Sequence, residues 1–314
     1  SDDSAPAAPP LIDEQGNVCR MLVDRCSAQV DGKAVASFNK IYSRQSWGNS
    51  ERTLGSHTRS GSGSTLKGAF DWVAGLNKFF LQHKSVQSVA DIPCGDVGWQ
   101  MSVPGFNNAR AYFGGDIAQA VSEGNAKHYT AHMNKAFHHW DLATCGIPKW
   151  STSCDNSTKR PFDMIMVRDA LQHINIVRVQ QILRFIADSG AKWFATSSYN
   201  PKLVRGRSCK GDADIKSFCE SGNIEDGSFY HTWLDCQPFV LPRPAYTTHS
   251  HSTFKEEDDF LYIYRVDDAL KQAIHGMPDC KEHIGKNRQM QPAAPTSPKR
   301  TRPGFHPQRP SEVE

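Results

Sequence analysis

Three apolar segments of the chain each run into an aspartate, and that recurrence restricts the fold more than any other feature. "VQSVADI" (86–92) carries Asp91 near its end, "ARAYFGGDI" (109–117) carries Asp116, and "KAFHHWDL" (135–142) carries Asp141. Short apolar runs of this kind, closed by polar residues, have the pattern of strands buried on both faces. "FDMIMVRDA" (162–170) and "AKWFATSSY" (191–199) follow, and "DFLYIYRV" (259–266) comes late. Helical patterns lie between them. "TLKGAFDWVAGLNKFFLQHK" (65–84) places Leu66, Phe70, Val73, Leu76 and Phe80 on one helical face, and 118–129 and 172–190 read as further helices. Strands that alternate with helices predict an α/β fold with a mostly parallel, doubly wound sheet.

In such a sheet a ligand lies beyond the carboxyl ends of the strands, at the switch point. The first turn there reads Asp91-Ile-Pro93-Cys94-Gly95-Asp96-Val-Gly98. A dinucleotide needs glycines that bring its pyrophosphate onto backbone N–H groups. Two acids flanking the turn would repel that pyrophosphate, and no Lys or Arg is near in sequence to offset them. A cationic, phosphate-free nucleoside suits the turn better, and S-adenosylmethionine is one. Asp91, Asp96 and the backbone of Pro93, Cys94 and Gly95 are then candidate contacts. Asp116 with Ile117 would meet the ribose hydroxyls, and Asp141 with Leu142 the adenine edge. The competing reading is that strand-end acids only cap the next helix.

Other features set limits. The chain has 314 residues with 36 Lys/Arg against 33 Asp/Glu, so its net charge of +3 carries no global signal for nucleic acid. No apolar run approaches the roughly 20 residues of a membrane span; the chain begins on Ser, which is compatible with a removed upstream membrane anchor. Residues 1–37 read as a flexible stalk, 38–276 as the catalytic domain and 277–314 as a disordered, basic, Pro-rich tail. Nine cysteines are many for this length, and their spacing matches no C-x-x-C metal pattern. Eight fall into Cys19/Cys26, Cys145/Cys154, Cys209/Cys219 and Cys236/Cys280, a plausible disulfide set for an oxidising compartment. Cys94 is expected to stay unpaired. The tripeptide Asn156-Ser-Thr agrees with a secretory location. His249 and His251 suggest a metal only weakly, and no metal site is expected.

With these residues in view, the chain resembles the class I S-adenosylmethionine-dependent methyltransferases over about residues 38–270. Within them it is most similar to a group with a "D-x-x-C-G-D-x-x-W" motif, carried here by Asp91, Cys94, Gly95, Asp96 and Trp99. An upstream "W-G…S-G-x-G-S" is matched by Trp47-Gly48 and Ser60–Ser64. "R-D-x-L-x-H" is matched by Arg168, Asp169, Leu171 and His173, and "P-F-x-L-P-x-P" by Pro238–Pro244. Several members of that group resemble sugar O-methyltransferases. The resemblance implies a Rossmann-like, seven-stranded sheet in a single catalytic domain, S-adenosylmethionine as cofactor and a glycan hydroxyl as acceptor. The cysteines favour the secretory pathway, such as the Golgi lumen, over a cytoplasmic enzyme with free, partly buried thiols. The alternatives are a small metabolite, lipid or protein acceptor, or a cofactor-binding interaction module without catalysis.

Methyl transfer to a hydroxyl requires alignment and a base for the acceptor proton. His173 is the first candidate base; Asp169 would orient it or take the proton itself, and Arg168 would hold the cofactor carboxylate or fix Asp169. Asp169 and His173, four residues apart, could instead be a surface pair. Gly61 and Gly63 belong to a backbone-rich lid, "RSGSGSTLKGA" (59–69), with Trp47 packed over cofactor or acceptor. Tyr199, Phe229, Tyr230 and Trp233 are candidates to stack on a sugar ring.

Overall fold

The computed structural model describes residues 11–47, 50–51, 57–58, 60–129, 131–199, 215–250 and 259–284. Seven strands make the main sheet: β1 (Ser88–Asp91), β2 (Ala111–Asp116), β3 (Lys135–His139), β4 (Met164–Val167), β5 (Trp193–Tyr199), β6 (Tyr246–Ser250) and β7 (Asp259–Arg265). Their spatial order is β3-β2-β1-β4-β5-β7-β6. The five strands from β3 to β5 run parallel, and β7 is antiparallel to both its neighbours. This is a Rossmann-like sheet whose order reverses between β1 and β4.

The pleat explains why the central strands read as continuous apolar runs. In β4, Ile165 and Val167 pack into one hydrophobic layer with α5 (Ile176–Asp188), through Val179, Ile182, Leu183 and Ile186. Met164 and Met166 face the opposite layer with α2 (Phe70–Gln82), through Trp72, Leu76 and Phe79. Both faces are covered, so neither can be polar. β6 escaped prediction because it is an edge strand whose Tyr-Thr-Thr-His-Ser sequence lacks an apolar run. The third expected strand stops at His139. Helix α3 (Gln119–His128) precedes β3, and after that strand Asp141 caps the short helix α4 (Leu142–Cys145), accepting from the Ala143 N–H at 3.2 Å.

The N-terminal region departs from the expected stalk from residue 11 onward. Leu11–Ile12 pairs with Val18–Cys19, and Met21–Val23 pairs with Trp150–Thr152. Asp31 then caps helix α1 (Gly32–Arg44), which buries Ala34, Phe38 and Tyr42. That i, i+4, i+8 spacing behind a capping aspartate was a legible helix signal. At the other end, Met277 and Cys280 are buried, so the fold continues past the expected boundary; residues 285–314 lie outside the described residues.

The disulfide pairing also differs from the expected set. Cys19 joins Cys154, Cys26 joins Cys145 and Cys219 joins Cys280, across 135, 119 and 61 residues. Cys236 is disulfide-bonded as well, and Cys209 lies outside the described residues. Pairing by nearness in sequence fails because the N-terminal ribbons dock beside Trp150–Thr152 and bring Cys19 and Cys26 to distant partners. Among the described residues Cys94 is the free thiol, and it is buried. The disulfides are consistent with a secreted or lumenal chain. No described helix is long and apolar enough to cross a membrane.

Candidate active site

A cavity of about 230 Å³ opens at the carboxyl ends of β1 to β4. Its floor is the turn Asp91–Gly95, its sides are Asp116–Ile117, Trp140–Ala143 and Arg168–Ala170, and His173 borders it. Phe38 and Tyr42 of α1, Trp47, Gly61 and Gly63 complete the enclosure. Phe38 and Tyr42 carried no expected role, because the boundary expected at residue 38 cuts their helix, Gly32–Arg44, in two. No regular helix starts directly at the turn; a 3₁₀ segment, Gln100–Ser102, follows it. Gly95 has φ +55°, and a Cβ there would lie 2.8 Å from the Ser60 hydroxyl, so the turn requires glycine.

Asp91 is fully buried. Its Oδ2 accepts from the Tyr112 hydroxyl at 2.6 Å and from Gln100 Nε2 at 3.1 Å. Its Oδ1 has no hydrogen-bond partner among the described residues. Burial raises this carboxyl to about 7, against the opposing pull of the Tyr112 and Gln100 donors. Asp116 ends β2 and accepts from the Gly95 and Ala118 N–H groups at 3.0 and 2.8 Å. Burial also lifts it to about 7. Burial pushes the Cys94 thiol up, so it stays neutral and acts as a packing group in the floor.

Asp96 does not line the cavity. It anchors the glycine segment, accepting from the Ser60 N–H at 3.1 Å and the Ser60 hydroxyl at 2.8 Å. Tyr42 reaches the same hydroxyl at 3.2 Å, which joins α1, the glycine segment and the turn. Arg168 holds the other end of that segment, donating to the Gly63 carbonyl at 3.0 Å while its guanidinium lies over Trp72 and Trp99. Arg168 Nε is buried without a partner among the described residues.

Asp141 lines the cavity, but its carboxylate is filled by protein donors. Oδ1 accepts from Ala143 N and from Arg178 at 2.6 Å; Oδ2 accepts from the Thr144 hydroxyl at 2.7 Å and Asp31 N at 3.4 Å. Arg178 also pairs with Asp31 at 2.8 Å and Asp226 at 3.2 Å. Sequence spacing gave no sign of this, because the three acids come from separate parts of the chain. Asp141 therefore fixes the cavity wall, and Leu142 and Ala143 line the cavity beside it.

His173 has a defined tautomer. Its Nδ1 lies 2.8 Å from the Ser228 carbonyl, which can only accept, so Nδ1 carries the proton; in the neutral ring Nε2 then offers a lone pair. The expected Asp169–His173 pairing is absent among the hydrogen bonds of the described residues. Asp169, at φ +52°, accepts instead from Gln172 Nε2, and its backbone N–H donates to the Ser197 hydroxyl. A Cβ on Gly63 would lie 3.0 Å from Asp169 Oδ2, so glycine lets the segment approach that carboxylate.

Aromatic rings continue outward from the histidine. Trp47 and Phe229 flank it at 5.1 and 5.7 Å between centroids, and Phe229 meets Tyr199 at 6.1 Å. Phe229 is 45% exposed. Tyr230 is buried in the main core, and Tyr199 and Trp233 are buried in a smaller cluster, so of the four candidate stacking residues Phe229 alone presents an exposed ring. His249 stacks on Phe260 in the edge strands, away from the cavity lining; His251 lies outside the described residues.

The donor set thus suits a ligand with a positive charge and hydroxyls. An unpartnered buried carboxylate oxygen at Asp91 fits an ammonium, Asp116 has acceptor capacity left for hydroxyls, and the unpartnered Arg168 Nε fits a carboxylate. No protein-family model matches the chain, and no curated protein matches it. Solved structures similar to it include two methyltransferases with bound S-adenosylhomocysteine. Magnesium protoporphyrin IX methyltransferase from Synechocystis PCC 6803 is 15% identical, with 75% of this chain and 100% of that chain covered and a TM-score of 0.45. The N-methyltransferase NodS from Bradyrhizobium japonicum WM9 is 12% identical, with 62% and 86% covered and a TM-score of 0.40. An O-methyltransferase family protein from Burkholderia thailandensis is 12% identical, with 64% and 57% covered and a TM-score of 0.38.

Proposed function

We propose that the chain is an S-adenosylmethionine-dependent O-methyltransferase whose acceptor is a sugar hydroxyl, working in the lumen of the secretory pathway such as the Golgi. The observation that carries the reading is the buried, half-satisfied Asp91 beside Asp116 at the switch point of the sheet. Asp91 Oδ1 would take the ammonium, Arg168 the carboxylate and Asp116 the ribose hydroxyls, with the adenine edge against Leu142 and Ala143. When bound, S-adenosylmethionine supplies a methyl group on a sulfonium, which needs no further activation.

What remains for the protein is placement and one proton. His173 Nε2 would accept the acceptor hydroxyl's proton, and the Ser228 carbonyl would stabilise the resulting imidazolium through Nδ1–H. Trp47 and Phe229 each lie against the His173 ring, and their flat apolar faces suit the C–H face of a pyranose. α1 and the glycine segment, which enclose the cavity, would exclude water from it.

Calorimetry with S-adenosylhomocysteine tests the cofactor reading, and absence of binding sinks it. Methyl-labelled cofactor with panels of saccharides, small hydroxylated metabolites, lipids and peptides tests the acceptor. Label on saccharides supports the proposal; label confined to another class replaces the acceptor and leaves the cofactor reading intact. Binding without transfer to any panel supports a non-catalytic module.

A further inference from the structure

We propose that Asn156 is an N-glycosylation site, an inference that stands apart from the methyltransfer reading. Asn156-Ser157-Thr158 is the one Asn-x-Ser/Thr tripeptide in the chain. The structure adds what the tripeptide alone lacks. Trp150 and Arg160 exchange both backbone hydrogen bonds, at 2.9 and 2.8 Å, and so close residues 151–159 into a short excursion from the sheet region. Within it, Asn156 to Lys159 are exposed.

The Asn156 side chain is held by its oxygen alone. Oδ1 accepts from the Ser151 hydroxyl at 3.1 Å and from Lys159 Nζ at 3.3 Å. Nδ2, the atom that would be glycosylated, makes no hydrogen bond among the described residues. Asp155 fixes the following turn, accepting from the Ser157 hydroxyl at 2.8 Å and the Thr158 N–H at 3.2 Å. The Cys19–Cys154 disulfide staples the loop two residues upstream. The folded loop therefore accommodates a bulky polar group at Nδ2 without breaking a contact.

The compartment supplies the co-reactant. Disulfides of this number form where the chain meets oxidising machinery, which in eukaryotic secretion is also where lipid-diphosphate-linked oligosaccharides donate. Asn156 Nδ2 bonds to C1 of the first sugar and loses one proton. The bond from C1 to the lipid diphosphate breaks, and the diphosphate leaves with the electron pair. No residue of 150–160 lines the acidic cavity, so the glycan leaves ligand binding there unchanged.

The test expresses the full chain behind a cleavable secretion leader in eukaryotic cells and purifies the disulfide-bonded product. Peptide-N-glycosidase in ¹⁸O water is expected to remove one oligosaccharide mass and leave ¹⁸O label at position 156. Asn156→Gln and Thr158→Ala each lose the glycan, whereas Thr158→Ser, which retains the hydroxyl, keeps it. Peptide mapping without reductant reports whether each variant has formed Cys19–Cys154. Disulfide-bonded wild-type protein with unmodified Asn156 overturns the proposal, as does a glycan that persists in Thr158→Ala.

Discussion

Asp91→Asn separates charge from shape at the cavity floor. Asparagine keeps an acceptor for the Tyr112 hydroxyl and nearly the same volume, but it cannot attract an ammonium. In the free protein burial holds Asp91 near 7, so lowering the pH protonates it just where a cationic ligand needs it ionised. For one carboxyl at about 7 that must ionise on binding, affinity falls roughly eightfold between about pH 7.5 and about pH 6. Asp116, also near 7, adds a second factor in the same direction. Wild-type protein should lose S-adenosylhomocysteine affinity by up to roughly sixty- to seventyfold over that window, and Asp91→Asn by only about eightfold from a lower start. The sign for folding is opposite. Between the usual 3.8 and about 7, native Asp91 holds a proton that the unfolded chain has released, so stability declines as pH rises through that window. A shift of about three pH units corresponds to on the order of 4 kcal/mol, which Asp91→Asn recovers at pH 8 and not at pH 4. Calorimetry in two buffers of different ionisation enthalpy counts the protons released, and urea melts at both pH values measure the stability term. Equal pH slopes in wild type and variant, with unchanged affinity, would refute the role of Asp91 as the ammonium acceptor.

Three further outcomes follow from the same geometry. His173→Ala should lower kcat by about 10²- to 10⁴-fold while S-adenosylhomocysteine binds within twofold of wild type; retained turnover in the labelled-methyl assay removes His173 as base. Arg178→Ala strands Asp31, Asp141 and Asp226 and should cost about 3–5 kcal/mol in urea unfolding, with cofactor affinity falling as Asp141 loses its anchor; Arg178→Lys should recover part of both. Replacing Cys26 and Cys145 together with serine should cost about 2–5 kcal/mol of unfolding free energy, since the bond closes 119 residues of chain, and Cys19–Cys154 should persist in a non-reducing peptide map.

The sheet was legible because its central strands must be apolar on both faces, so β1, β2, β4 and β5 announce themselves as runs. β6 gave no such signal, since an edge strand tolerates Thr, His and Ser. Helix α1 did give one, in Ala34, Phe38 and Tyr42 behind Asp31, although it follows an acidic, Pro-rich start to the chain. The disulfide count was legible and the pairing was not. Cysteine partners depend on which distant segments pack together, and the N-terminal ribbon lies against Trp150–Thr152, more than a hundred residues away.

The site divides along the same line. Acids that reach the cavity where their strand ends, such as Asp91 and Asp116, could be located from strand position alone. Residues whose role depends on what else arrives could not. Asp141 occupies the expected place, yet Arg178, Thr144 and Asp31 take up its oxygens, so a strand-end acid became part of the scaffold. His173 was recognisable as a candidate base, but the partner that orients its ring is a main-chain carbonyl at Ser228, and every residue type carries a carbonyl. Asp169, which has the right chemistry and spacing to orient it, turns to Gln172 because its left-handed backbone aims the side chain elsewhere. Side-chain identity thus locates the groups that meet a ligand. Backbone geometry decides which of them are free to do so.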